Sequence, residues 1–166
     1  MDSSMIGKIE KAMLYAQEPE RIQFQSFELT FDGDHTGHTL QYNDGSWQCD
    51  CHFFENYGIC SHVMALERML AGSVRTADAP PIAESIMISK IEKSILYANE
   101  RDRLKFNKLT ATIQGDHKAH QVSYEAGKWA CDCNFFNHRG ICSHVMAMER
   151  LLDSAVETAQ AFPMPA

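Results

Sequence analysis

All six cysteines of this 166-residue chain fall into one pattern, used twice: Cys49-x-Cys51-x8-Cys60-x-His62 and Cys131-x-Cys133-x8-Cys142-x-His144. No cysteine is left over in either copy. In an extended segment, residues i and i+2 point to the same side, so Cys49 and Cys51 can offer both sulfurs to one ion, as can Cys131 and Cys133. Cys60–His62 and Cys142–His144 stand where a helix is expected to begin, and the positive end of a helix favours thiolate. Three thiolates and one imidazole make a closed tetrahedral set of the kind that binds structural zinc and leaves no position for a catalytic water. Disulfides, an iron–sulfur cluster and copper(I) are the alternatives, and a cytosolic setting disfavours the first of them.

The elements that must position these ligands come from a duplication. Sliding the sequence by 82 positions aligns residues 5–70 with 87–152 at 36 identities in 66 positions, without a gap. Each copy reads as helix, strands, metal loop, helix, an α+β module. Met5, Ile6, Ile9, Ala12, Met13 and Ala16 recur at helical spacing, and this stripe is expected to face its own module. Phe27, Leu29 and Phe31 alternate as in a half-buried strand, a second strand runs near His38–Tyr42, and a third runs from Trp47 into Cys49. Asn43-Asp44-Gly45-Ser46 reads as a hairpin turn. The last helix is expected at about Ser61–Leu70. The domain reading is a first module over 1–72, a linker over 73–82, a second module over 83–153, and a partly disordered tail over 154–166 with no counterpart in the first half.

Hydrophobic residues make up 45% of the chain and charged residues 22%, an ordinary globular profile. No apolar run approaches the roughly 18–20 residues of a membrane span. The N-terminal MDSSMIGKIEK lacks the apolar core of a signal peptide, so a cytoplasmic location is expected. The net charge is −7, and two Zn²⁺ with six thiolates would take it to about −9. A broad nucleic-acid surface usually carries a basic footprint, which the whole chain lacks. The copies differ, however. Residues 19–57 hold one basic and seven acidic residues, whereas 101–139 hold seven basic and four acidic. Arg101, Lys105, Lys108, Lys118, Lys128 and Arg139 carry that difference and are the candidate contacts to phosphate or an acidic partner.

The motif C-x-C-x8-C-x-H, with an aromatic strand before it and a helix starting at C-x-H, resembles the SWIM zinc-finger family over roughly 38–70 and 120–152. The resemblance implies zinc held by the four ligands of each copy, no catalysis by the finger itself, and a role in DNA binding or protein–protein interaction. Members of the family occur in chromatin-remodelling ATPases, transposases, ubiquitin-ligase-like proteins and recombination accessory factors; no ATPase, transposase or ligase segment accompanies the fingers here.

Other residues recur in both copies. Trp47 and Trp129 are expected to pack beside the thiolates. Phe53-Phe54 and Phe135-Phe136 are expected under the metal loop, and Gly58 and Gly140 at the turn before the third cysteine. Asp50 and Asp132 should point away from the metal into solvent. The pairs His35/His38 and His117/His120, in the frame GDHxxH, read as polar turn and strand residues or as a second metal or pH-sensing site. Leu14 and Leu96 lie opposite the main helical stripes and are candidates for contact between copies, in a homo-oligomer, or with another chain.

The favoured function is a non-enzymatic protein-interaction module or adaptor built on two structural zinc ions. The alternative is a nucleic-acid-binding accessory factor acting through the second copy. An enzyme or redox sensor has no serine, carboxylate or phosphate-loop constellation behind it.

Overall fold

In each repeat the apolar alternation produces a three-stranded antiparallel meander, entered from one helix and left through two more. The computed structural model describes residues 3–78 and 81–162. In the first repeat these elements are α1 (Ser3–Ala16), β1 (Ile22–Asp32), β2 (Gly37–Asn43), β3 (Ser46–Cys49), α2 (His52–Tyr57) and α3 (Ser61–Met69). The second repeats the order as α4 (Glu84–Ala98), β4 (Leu104–Gln114), β5 (Ala119–Glu125), β6 (Lys128–Cys131), α5 (Asn134–Arg139) and α6 (Ser143–Leu152). The α+β class is as read, with the two short helices α2 and α5 added in the metal loops.

The meanders merge into one six-stranded sheet of order β3-β2-β1-β4-β5-β6. At its centre β1 and β4 run antiparallel from Ile22↔Ile113 to Phe31↔Leu104, and the offset of 82 maps each of these pairs onto the other. The seam is therefore self-complementary, like an isologous dimer interface within one chain. Gln25 and Asn107 drop out of the ladder as symmetry-related bulges. The bulges switch the pleat, which lets Phe24 and Phe27 share the buried face although they are three residues apart.

Helices α3 and α6 lie on that face. Val63, Leu66 and Leu70 join Val145, Met148 and Leu152 in a single core with the strand residues of both repeats. Rings meet across the seam, with Phe24 stacked at 6.5 Å and Phe27 edge-on at 5.4 Å to Phe106. The opposite face of the central strands is polar, presenting Gln23, Thr30, Lys105 and Gln114.

The structure corrects the expected seat of the first helix. α1 packs on α6, and α4 packs on α3, so each helix lies against the finger of the other repeat. The cause is the seam. Pairing Ile22 with Ile113 puts the start of β1 beside the end of β4, and the helix that leads into β1 emerges over the second finger. Only Ala12 and Tyr15 of α1 are fully buried; Ile6 and Met13, assigned to the inward stripe, are nearly half exposed.

The tail does have a counterpart. Arg75 N–H donates to the Tyr42 hydroxyl and Glu157 N–H to that of Tyr124. The indole of Trp47 donates to the Arg75 carbonyl, and that of Trp129 to Glu157. Ala77 N–H and Ala159 N–H donate to the carboxylates of Glu67 and Glu149. Residues 73–77, read as linker, and 155–159, read as tail, thus form the same strap beneath the tryptophans. The part of the expected tail disorder that concerns 163–166 lies outside the described residues.

Candidate metal centres

Each centre is assembled by a strand end and two helix N-termini. β3 delivers Cys49, the chain turns at Cys51 to cap α2, and Cys60 caps α3, whose second residue is His62. The second repeat uses Cys131, Cys133, Cys142 and His144 identically. The turn back from α2 needs a left-handed residue, supplied by Gly58 at φ 74° and in the second copy by Gly140 at φ 75°.

The four ligand atoms of each set lie within 4.8 Å of one another, and all eight residues are buried. Cys49 Sγ is 3.8 Å from His62 Nδ1 and Cys131 Sγ is 3.7 Å from His144 Nδ1. A tetrahedron with zinc–ligand bonds of about 2.0–2.3 Å has edges of about 3.5–3.8 Å, so the observed spacing suits a zinc ion. Backbone amides support the sulfurs: Phe54 and Val63 N–H donate to Cys51 and Cys60, and Phe136 and Val145 N–H to Cys133 and Cys142, each at 3.4 Å.

The electrostatics also call for a cation. Three adjacent thiolates repel one another, so without one each cluster settles on shared protons. Hydrogen bonds from Cys49 and Cys60 hold the Cys51 thiol well below its usual range, while the bond to Cys51 pushes Cys49 up to about 12. In the second copy the bond from Cys142 pulls Cys131 down to about 4, and Cys142 is raised in return. A divalent ion removes this conflict.

The histidine pairs of the GDHxxH frame now have places. His38 and His120 are not part of any metal-type cluster among the described residues. They lie with their rings 4.4 Å and 4.3 Å from those of the ligands His62 and His144. Each Nδ1–H donates at 2.9 Å to the aspartate between the paired cysteines, Asp50 or Asp132. Those aspartates are exposed, as expected, and they also tie β2 and β5 to the ligand turns. The identical spacing of His38–Asp50 and His120–Asp132 in the two repeats was the available signal. His35 and His117 remain exposed.

The candidate basic contacts are scattered. Arg101 donates to the Leu151 carbonyl and Lys105 to that of Ser154. Lys108 sits between Glu28 on β1 and Glu125 on β5 in the ladder. Arg139 lies over the Phe135 ring at 5.4 Å. Lys128 begins β6, and Lys118 borders the cleft at the second centre with Lys8 and Lys11. Among the described residues, no helix is long and apolar enough to cross a membrane.

Comparison with family models matches the SWIM zinc finger at residues 36–71 and 120–152. Neither the curated proteins nor the solved structures compared with the chain gave a match. Both matched segments coincide with a Cys₃His centre. The chain carries a tandem pair of SWIM zinc fingers, with two sites that fit two zinc ions.

Proposed function

We propose that the chain is a non-enzymatic adaptor whose two structural zinc centres hold α1 and α4 in place for a protein partner. The observation that carries this reading is the outer face of those helices. Leu14 is 59% and Leu96 63% exposed, at equivalent positions, and beside them stand Ile6 and Met13 on α1 and Ile88 and Ile95 on α4. Scattered apolar residues are normal on a surface, but the same stripe on both copies is a recurrent feature of docking faces. The four-ligand sites support the non-enzymatic part, since all six cysteines serve as ligands and no coordination position is left open.

The test is recovery of partners from the native host with the parent chain and with Leu14→Glu combined with Leu96→Glu. Loss of a specific protein partner from the double variant, at unchanged zinc content and circular dichroism, supports the proposal; unchanged recovery refutes it.

A second reading, binding of nucleic acid through the second repeat, draws its support from the cluster of Lys118, Lys8 and Lys11 at one cleft. It requires affinity that falls steeply with salt and that is lost when Lys118, Lys128 and Arg139 are neutralised.

A further inference from the structure

Tyr97 of α4 stacks on the ligand His62 of the first finger at 5.8 Å and 12°, and Tyr15 of α1 stacks on His144 of the second at 6.1 Å and 16°. Each tyrosine is in turn held in place. Arg103 stands over Tyr97 at 4.7 Å and donates to the Asp32 carbonyl; Arg21 stands over Tyr15 at 5.0 Å and donates to the Gln114 carbonyl. Lysines fasten the same helices to the loop before β2 or β5. Lys93 pairs with Asp34 at 3.4 Å and Lys11 with Asp116 at 3.1 Å. Lys90 lies over Phe53 at 4.9 Å, and Lys8 over Phe135 at 5.0 Å. The tyrosine–imidazole, lysine and arginine–carbonyl contacts all cross from one repeat to the other, while the two arginine–ring contacts brace each tyrosine within its own repeat.

We propose that Tyr97 and Tyr15 are positioning residues for the metals, supplied crosswise, so that each finger's hold on zinc is governed by the helix of the repeat that does not ligate it. Zinc leaves a closed four-ligand site when a ligand swings away and a competitor enters. The imidazole is the ligand in contact with the crossing helix, and it is 8% exposed in both fingers. The tyrosine ring restricts its rotation and covers the approach. Groups that orient a ligand without touching the metal typically change metal affinity by about 10–100-fold. Removing the tyrosine opens the centre of the opposite repeat and leaves its own intact.

The full-length, zinc-loaded chain tests this. EDTA is added with N-ethylmaleimide, and the labelling rate of each cysteine is read by peptide mass spectrometry, so the two centres report separately. Tyr15→Ala is expected to speed labelling of Cys131, Cys133 and Cys142 by about tenfold or more while Cys49, Cys51 and Cys60 keep the parental rate. Tyr97→Ala should give the reverse. Tyr15→Phe and Tyr97→Phe keep the stacked ring, lose only the hydroxyl bond to Asp116 or Asp34, and should stay far closer to the parent than the alanine variants. Lys11→Gln, which removes the tie from α1 to Asp116 and keeps the Tyr15 ring, should show the same crossed pattern at smaller size, and it decides the matter if an alanine variant does not fold. Faster labelling in the mutated repeat's own finger, or equal acceleration in both, overturns the proposal. Labelling of the parent at the same rate with and without bound zinc overturns it by removing the metal itself.

Discussion

Phe106 of the second repeat lies edge-on to Phe27 of the first at 5.4 Å, both rings buried. This contact makes the two fingers one folding unit, because the apolar face of each meander continues across the seam into the other. Phe106→Ala should cost about 3–5 kcal/mol through lost burial and the cavity left behind. Calorimetry of the parent should show a single cooperative transition. Two separate transitions would show that the seam does not couple the repeats.

Each centre should be lost independently of the other's ligands. Cys60→Ser or Cys142→Ser is expected to leave one zinc per chain by elemental analysis. Either should also lower the thermal midpoint of the whole chain, since both third cysteines cap helices that line the common core. Chelation of the parent should lower it further. An unchanged midpoint after complete zinc removal would contradict a structural role for the metal.

The strap beneath each tryptophan should be needed for its finger. Without residues 155–162, the Trp129 indole and the Glu149 carboxylate lose their backbone partners. A buried polar group left unpaired costs about 1–3 kcal/mol. In a Trp47→Phe background, denaturation followed by fluorescence should report an earlier transition for the shortened chain. An unchanged transition would mean that the strap carries no stability.

Glu67 and Glu149 give the stability a defined pH dependence. Burial raises both carboxyls above the usual range, against the favourable hydrogen bonds from Ala77 and Ala159 N–H. The native state therefore holds these protons more tightly than the unfolded chain, and stability falls as pH rises from the unfolded carboxyl value, about 4.3, through the raised native values. Glu67→Gln with Glu149→Gln keeps an acceptor and removes the charge. Relative to the parent, the double variant should gain in urea midpoint across that window as pH rises. A relative loss with rising pH would reverse the assignment.

The hairpin turns offer a comparison inside one molecule. Asp44 and Ala126 occupy equivalent left-handed positions at φ 47° and 51°, each followed by glycine. Asparagine tolerates that conformation better than alanine. Ala126→Asn should therefore stabilise the chain by up to about 1 kcal/mol in denaturant titration, and no gain would show that the turn is already relaxed.

Local features were legible in the sequence, and long-range ones were not. The spacing of Cys49, Cys51, Cys60 and His62 identified the ligands because their geometry is set within a few residues of backbone. The alternation Phe27–Leu29–Phe31 identified a strand for the same reason. The seam could not be read, because the inward face of β1 looks the same whether the edge of the strand is paired with β4 or left open. Without the seam, nothing in the sequence separates α1 on its own repeat from α1 on the other, and nothing foretells the exposure of Ile6 and Met13. The strap did leave a trace, Val-x-Thr-Ala at 74–77 and again at 156–159, too short to stand out beside the cysteine pattern.

Zinc K-edge X-ray absorption on the reduced, freshly purified protein tests the central claim most directly. Two closed Cys₃His centres predict an average first shell of three sulfurs at about 2.3 Å and one nitrogen at about 2.0 Å, with no water oxygen. A shell dominated by oxygen and nitrogen, or the absence of a zinc edge, would contradict it.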